Sequence, residues 1–133
     1  MRRLAVLLSG ALLLAAGAAP AAPRLDPESQ IARELAGRVA GEPVSCIQLR
    51  GIRSTKIIDD TAILYDAGST IYLNRPRAGR ESLDQWDTLV TRTHGSRLCR
   101  IDVVQLYDTA ARMQTGLVFL GDFIPYRRES SGR

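Results

Sequence analysis

The chain has few of the side chains on which most metal centres and catalytic sites depend. It contains one histidine, His94, and two cysteines, Cys46 and Cys99, in 133 residues. Zinc sites and thiol redox centres usually combine closely spaced cysteines with histidines, and the two cysteines here are far from a Cys-x-x-Cys spacing. The composition therefore predicts neither a bound metal nor a cofactor.

Long runs of one residue type are also scarce. The N-terminal apolar stretch, residues 4–19, covers 16 positions, which is short of the ~20 residues that cross a bilayer as a helix. Acidic and basic residues alternate, as in the segments 24–26 and 100–102, so the chain lacks the basic stripe that is typical of nucleic-acid-binding proteins. We predict no membrane span and no nucleic-acid partner.

The first 21 residues follow the order of an export signal. Arg2 and Arg3 precede the apolar stretch, and small residues end it. We predict a signal peptide over 1–21, cleaved after Ala21, and a protein that is periplasmic or secreted; a twin-arginine signal is the alternative. Cleavage would leave 112 residues, the size of one domain, and lower the formal net charge from +4 to +2.

Cys46 and Cys99 predict a single disulfide. An even number of cysteines in an exported protein favours a bridge. On the loop-entropy estimate, closing a loop of about 54 residues would stabilise the fold by about 4 kcal/mol. From the sequence alone, two separate buried thiols and a redox-active pair stay as alternatives.

The segment 22–43 carries the signs of one amphipathic helix. Asp26 is a suitable N-cap, and Pro27 suits the first helical position, where no N–H is needed. We predict a helix over 27–40 that ends at Gly41. Its apolar stripe is expected to pack against a sheet, although it would also suit a partner protein. The stripe recurs every four residues, at Ile31, Leu35 and Val39.

From residue 44 the apolar period changes from four to two, and β-branched residues become frequent. We predict a mainly β fold over 44–126, a small antiparallel barrel or sandwich of about seven strands with one N-terminal amphipathic helix. The clearest hairpin turn is 66–69, and the tail 127–133 is expected to be flexible. The predicted strands are 44–50, 55–59, 62–66, 70–74, 87–93, 101–107 and 117–120.

Arginines supply the main candidate for a binding surface. Three lie in a predicted surface loop over 75–85, and others flank the turn 94–96. The planar guanidinium group matches phosphate and carboxylate, so these residues predict a ligand that is an anionic envelope polymer or another envelope protein. The alternative is a solvated loop. Trp86, beside the loop, would be a stacking residue or a half-buried core residue. The arginines are Arg75, Arg77, Arg80, Arg92, Arg97 and Arg100.

An enzymatic function is the less favoured hypothesis. His94 and Ser96 would have to act as base and nucleophile of a small hydrolase, or as the binding turn of an enzyme inhibitor, but catalysis also needs an orienting carboxylate and an oxyanion site. Asp59 and Asp60 are adjacent, and adjacent strand residues face opposite sides of a sheet. Calcium binding with Asp66 would need an Asp-x-Asp-x-Asp-Gly spacing, which is absent. We predict a non-enzymatic protein without a metal site.

Several segments, taken together, resemble a family of small exported Gram-negative proteins of unknown function. The resemblance covers about 36–126 and implies no catalytic activity. It implies that Asp60, Asn74 and Asp102 fix turns and strand ends. Some family members carry further cysteines near the positions of Gly79 and Gly116, so their absence here leaves one possible bridge. The segments are Cys46-Ile47, 58–65, 72–75, 96–99 with Asp102, and 120–126.

Overall fold

The computed structural model describes residues 17–130. Most of the predicted signal peptide, 1–21, lies outside the described residues, as does the end of the predicted tail. Residues 17–26 run along the surface without regular secondary structure. Between residues 17 and 130, no helix is long and apolar enough to cross a membrane.

The described part of the chain forms one α-helix and ten β-strands. The helix, α1, is Pro27–Glu34. Short 3-10 turns lie at Leu49–Gly51 and Arg80–Ser82. The strands β1 to β10, in chain order, are Arg38–Ala40, Cys46–Gln48, Ser54–Ile58, Ala62–Asp66, Thr70–Asn74, Thr88–Thr91, Arg97–Cys99, Val103–Asp108, Met113–Phe119 and Phe123–Arg128.

The helix begins where the sequence predicts but ends earlier. The Asp26 carboxylate accepts the backbone N–H of Ser29 at 3.0 Å, which satisfies one of the donors that a helix start leaves free. The prediction that the helix continues to residue 40 is wrong, because Gly37 takes the left-handed conformation, φ 72°, and turns the chain into β1. Val39 is therefore an exposed strand residue outside the apolar stripe.

The strands form three antiparallel sheets in the described range, with the orders β1-β10-β5-β4-β3, β2-β7 and β6-β8-β9. None of them closes into a barrel between residues 17 and 130, so the predicted barrel is wrong. The predicted number of strands is too low because β1, β7 and β10 lack a clear two-residue alternation. The flexible tail was also predicted to begin too early, since β10 reaches Arg128, which lies opposite Arg38 of β1.

Two local predictions are confirmed. The hairpin of β4 and β5 turns at 66–69, where Gly68 has φ 84° and donates its N–H to the Asp66 carboxylate at 2.6 Å. The disulfide joins Cys46 of β2 to Cys99 of β7, which lie directly opposite each other with Cα atoms 4.0 Å apart. The bridge therefore links the two strands of the smallest sheet, a ribbon that would be marginally stable alone.

The hydrophobic core lies on both faces of the five-stranded sheet. The larger part fills the space between this sheet and the two smaller sheets, where Phe123, Ile63 and Leu106 are fully buried. The smaller part lies beneath α1, whose Ile31 and Leu35 pack on the opposite face. Side chains alternate along a strand, and both faces of the sheet are covered at β4. Its side chains are therefore buried on both sides. The layers are thus α1, the five-stranded sheet and the smaller sheets, which have solvent on their outer side.

Tyr65 of β4 gives a prediction about stability. Its ring packs edge-on against Phe123, with centroids 5.8 Å apart, and its buried hydroxyl has no hydrogen-bond partner among the described residues. Since an unpaired buried polar group is costly, we expect Tyr65→Phe to raise the free energy of unfolding by about 1 kcal/mol. Urea unfolding at neutral pH checks this, and a Phe variant less stable than the native protein would contradict it.

The same variant should change the pH dependence of stability. Burial raises the pKa of Tyr65, so the folded state keeps the phenolic proton while the unfolded state, with a tyrosine pKa of about 10, loses it. The associated stabilisation is complete below about pH 10 and is lost as the pH rises further. The native protein should therefore lose stability more steeply in that alkaline range than Tyr65→Phe.

Candidate functional site

The solvent side of the three-stranded sheet is the candidate site. Across β6, β8 and β9, alternate residues point into the core, where Val104 and Val118 are fully buried. The residues between them point outward and form neighbouring rows, with Gln105 between two apolar side chains in one row. We call this surface the outer sheet face, and its residues are Val90, Val103, Gln105, Tyr107, Leu117 and Phe119.

Exposed apolar side chains concentrate on this layer. Of the nine large exposed hydrophobic residues in the described part of the chain, six lie between residues 86 and 119. Val90, Leu117 and Phe119 belong to the outer sheet face itself and are 37%, 39% and 36% exposed. Contiguous exposed apolar surface is typical of interaction sites. The opposite side of the molecule differs, because α1 covers the apolar face of the five-stranded sheet.

Arg77 lies at one edge of the outer sheet face. Its guanidinium carbon is 5.6 Å from the ring centroid of Phe119, and its Nε donates to the carbonyl of Leu120 at 3.2 Å. The loop carrying Arg77 can approach β9 because Gly79 has no side chain, since a Cβ there would lie 2.1 Å from the carbonyl oxygen of Leu117. The loop therefore holds an arginine over an exposed aromatic ring.

A groove of about 410 Å³ continues the site beyond Arg77. Its second basic side chain, Arg100, forms an ion pair with Asp122 at 3.2 Å, and Ile101 projects from the same turn with 76% of its surface exposed. The groove thus combines two guanidinium groups, one carboxylate and apolar surface. It is lined by Arg77, Arg100, Ile101, Leu120, Gly121 and Asp122.

Buried polar groups hold the walls of the groove. Asn74, fully buried at the end of β5, donates to the carbonyl of Gly121 at 2.7 Å and accepts the N–H of Gly121 at 3.1 Å. The Asp102 carboxylate accepts the N–H of Cys99 at 2.7 Å, which fixes the turn that carries Arg100. Asn74 therefore holds the backbone of residue 121 against the end of β5, and Asp102 holds the turn after β7.

Arg92 flanks the outer sheet face on the other side. It follows β6 and lines a shallow cavity of about 240 Å³ with Val90, Val103 and Gln105. Val103 in turn lies opposite Phe119, over which Arg77 sits. The row therefore runs from Arg92 across two apolar side chains to Arg77.

The six candidate arginines do not form one cluster. Arg75 makes two hydrogen bonds to the carboxylate of Glu28 in α1, at 2.9 and 2.8 Å. The hydrogen-bonded ion pair lowers the pKa of Glu28 and raises that of Arg75, so Arg75 serves to dock the helix. Arg80 is exposed in a 3-10 turn, and Arg97 is exposed on β7. Among the six, Arg77, Arg92 and Arg100 line a cavity at the outer sheet face or beside it in the described structure, and Arg100 is paired with Asp122.

The ion pairs of the described residues involve other basic groups. The four pairs between residues 17 and 130 use Arg24, Lys56, Arg75 and Arg100. Arg77 and Arg92 therefore have no carboxylate within 4.0 Å in this part of the chain. Their charges are free to pair with an external anion.

The residues considered for catalysis or metal binding have separate local contacts and do not form a common site. Ser96 donates its hydroxyl to the Gln48 side chain at 3.3 Å, and His94 is exposed in the turn beside it. Asp59 accepts the N–H of Gln85 at 2.7 Å, while Asp60 takes φ 55° in a turn. Across residues 17–130, no group of three or more His, Cys, Asp or Glu side chains is placed to hold a metal ion.

Sequence reasoning missed part of this surface. Trp86 is 79% exposed, so the half-buried position considered for it is wrong. The sequence predicts only that Leu117 and Phe119 lie on one side of a short strand and Val118 on the other. Which side of that alternation faces solvent depends on the sheet that covers it, and the sequence does not specify this.

Comparisons of the chain with protein-family models, curated proteins and solved structures find no match. The resemblance to a family of small exported proteins therefore stays a prediction. Since a fold alone does not define an activity, function has to be inferred from the chemistry of the site.

Proposed function

We propose that the protein is an exported, non-enzymatic binding module of the cell envelope, periplasmic or secreted, which holds a phosphate- or carboxylate-bearing polymer or partner on its outer sheet face. The observation that carries the proposal is the row from Arg92 to Arg77, two arginines with no carboxylate partner among the described residues. Half-buried Val103 and exposed Phe119 lie between them. Guanidinium groups pair with phosphate and carboxylate through two parallel hydrogen bonds.

The composition of the outer sheet face supports a binding role. Its aliphatic and aromatic residues include Tyr107 and Phe119, and arginine provides its rim. Interfaces are enriched in aromatic residues and arginine and depleted in lysine and acidic residues. Apolar contacts around an arginine also exclude water, which strengthens its hydrogen bonds to a ligand.

A non-enzymatic role is favoured by the state of the only turn considered for catalysis. The Ser96 hydroxyl is hydrogen-bonded to Gln48, and within residues 17–130 no carboxylate is hydrogen-bonded to the His94 ring to orient it. A nucleophile needs a hydrogen-bonded base, and that base needs an orienting group.

Retention of envelope material on immobilised protein tests the proposal. We expect the native protein to retain anionic polymer or protein from an envelope extract, and Arg77→Gln/Arg92→Gln to retain at least about tenfold less, because each charge-assisted hydrogen bond contributes about 1.5–3 kcal/mol. Bound material is assayed for protein, sugar and phosphate.

A matched variant controls for the loss of two charges. Arg33→Gln/Arg128→Gln removes exposed arginines from α1 and β10, away from the three-stranded sheet, and should retain as much material as the native protein. Thermal unfolding of both double variants establishes that they are folded. Equal retention by Arg77→Gln/Arg92→Gln and the native protein would contradict the proposal.

A further inference from the structure

The outer sheet face offers two kinds of contact at the same place. A ligand that is only a charged polymer would engage Arg77 and Arg92 and leave the exposed surfaces of Val90, Leu117 and Phe119 in water. Apolar surface that stays in water adds nothing to the free energy of binding, whereas apolar surface covered by a ligand contributes about 25 cal/mol per Å². The face is therefore complementary to an amphiphile, which carries anionic and apolar parts together.

The shape of the site favours a surface over a single enclosed molecule. The outer sheet face is one side of a three-stranded sheet, and its apolar residues are spread over all three strands. The shallow cavity beside Arg92 has a volume of about 240 Å³ and the groove beyond Arg77 about 410 Å³, below and at the lower end of the 300–1,000 Å³ of ordinary small-molecule pockets. Ile101 also projects from the turn next to Arg77, with 76% of its surface exposed.

The charges around the outer sheet face indicate that the ligand surface is anionic. The two basic groups that flank the apolar row have no carboxylate partner among residues 17–130, and none of the six residues of the outer sheet face is acidic. Asp122, in the adjoining groove, is paired with Arg100. Each arginine or lysine held near an anionic membrane surface contributes about 1 kcal/mol of attraction. Arginine also keeps its aliphatic stem on apolar surface while its charged end reaches phosphate.

We propose that the outer sheet face docks on an anionic lipid surface. Arg77 and Arg92 contact lipid phosphates, and Val90, Leu117, Phe119 and Ile101 enter the boundary between headgroups and acyl chains. This inference rests on the proposed function, because it uses the same arginines, and it specifies the ligand as an anionic lipid. The protein lies on the membrane, and nothing in the interaction requires a segment to cross it.

Co-sedimentation with lipid vesicles tests this inference. We expect the predicted mature chain, residues 22–133, to bind vesicles of phosphatidylglycerol mixed with phosphatidylcholine and not vesicles of phosphatidylcholine alone. Arg77→Gln/Arg92→Gln should bind about thirtyfold more weakly, since two basic contacts are lost. Leu117→Ser/Phe119→Ser should also weaken binding by at least about tenfold, because it removes two inserted side chains.

Matched variants outside the outer sheet face control the measurement. Arg33→Gln/Arg128→Gln removes the same charge, and Val39→Ser removes an apolar side chain that is 51% exposed on β1. Both should bind anionic vesicles like the native protein. A competition arm with inorganic phosphate separates lipid from free phosphate, and we expect little displacement.

Three outcomes would overturn the inference. These are no vesicle binding by the native protein, undiminished binding by Leu117→Ser/Phe119→Ser, and full displacement by inorganic phosphate. Suppose that the native protein binds no vesicles while Arg77→Gln/Arg92→Gln retains less protein or soluble polymer from the extract than the native protein does. In that case the ligand is not lipid and the proposed function stands. If that variant also retains extract material normally, both proposals fail.

Discussion

The Cys46→Ser/Cys99→Ser variant is expected to unfold with a free energy about 4 kcal/mol below that of the native protein. The bridge spans 53 residues of sequence, so breaking it restores much freedom to the unfolded chain. A loss of this size is a large part of the 5–15 kcal/mol that stabilises a typical domain. The variant should therefore be partly unfolded or near its unfolding transition at moderate temperature.

The local effect of losing the bridge should concentrate at the groove. Arg100 follows Cys99 directly, and its N–H donates to the carbonyl of Ser45 at 2.8 Å, which extends the pairing of β2 with β7. Without the bridge, this ribbon of three residues per strand has little to hold it. Amide hydrogens of residues 97–102 should exchange faster in the variant than those of β4.

Urea unfolding with and without reductant checks the effect. The native protein in reductant should unfold like the serine variant, and the serine variant should not respond to reductant. Thiol labelling should occur only after reduction. Native protein whose stability is the same in both conditions would show that the bridge contributes nothing.

Asn74→Ala is expected to lower the free energy of unfolding by about 3 kcal/mol. The side chain is fully buried and pairs with both backbone groups of Gly121. Alanine would leave that N–H and that carbonyl without their partner, and each unsatisfied buried group costs about 1–3 kcal/mol. The backbone is closely packed here, since a Cβ at residue 121 would lie 2.5 Å from the carbonyl oxygen of Arg75.

An exposed amide provides the control for this substitution. Gln114→Ala removes a similar group from the exposed start of β9 and should change stability by less than about 0.5 kcal/mol. Urea unfolding of both variants measures the difference. If Asn74→Ala were as stable as Gln114→Ala, the contacts with Gly121 would not be holding the groove.

The parts of the fold that the sequence predicts well are those with local causes. The cap at Asp26 and the turn at Gly68 each depend on residues within three positions. The hairpin over 62–74 follows because two short segments rich in β-branched and aromatic residues flank that turn. The prediction of the disulfide needed only an even cysteine count and the predicted export signal.

The parts that the sequence does not predict depend on distant partners. β1 has three residues and exists because it pairs with β10, about 90 positions later. The pattern of Val39, four residues after Leu35, continues a helical period, yet Gly37 between them changes the direction of the chain. A three-residue strand has too few positions to show a period of two.

The candidate site shows the same division. Residue type identifies arginine as the basis of an anionic site, but it does not separate Arg77 from Arg75. Arg75 is occupied because α1 brings Glu28 to it across 47 residues of sequence. Arg77 stays available because its loop pairs with the edge of β9, where no carboxylate of the described residues lies within 4.0 Å of its side chain. Such assignments depend on tertiary structure and not on the local sequence.

The most direct test of the central claim, that the outer sheet face is the binding surface, is the salt dependence of ligand retention by immobilised protein. Retention by the native protein and by Arg33→Gln/Arg128→Gln should be high at low salt and fall steeply as NaCl screens the charges. Retention by Arg77→Gln/Arg92→Gln should be low at low salt and respond weakly. Identical retention curves for all three proteins would contradict the claim.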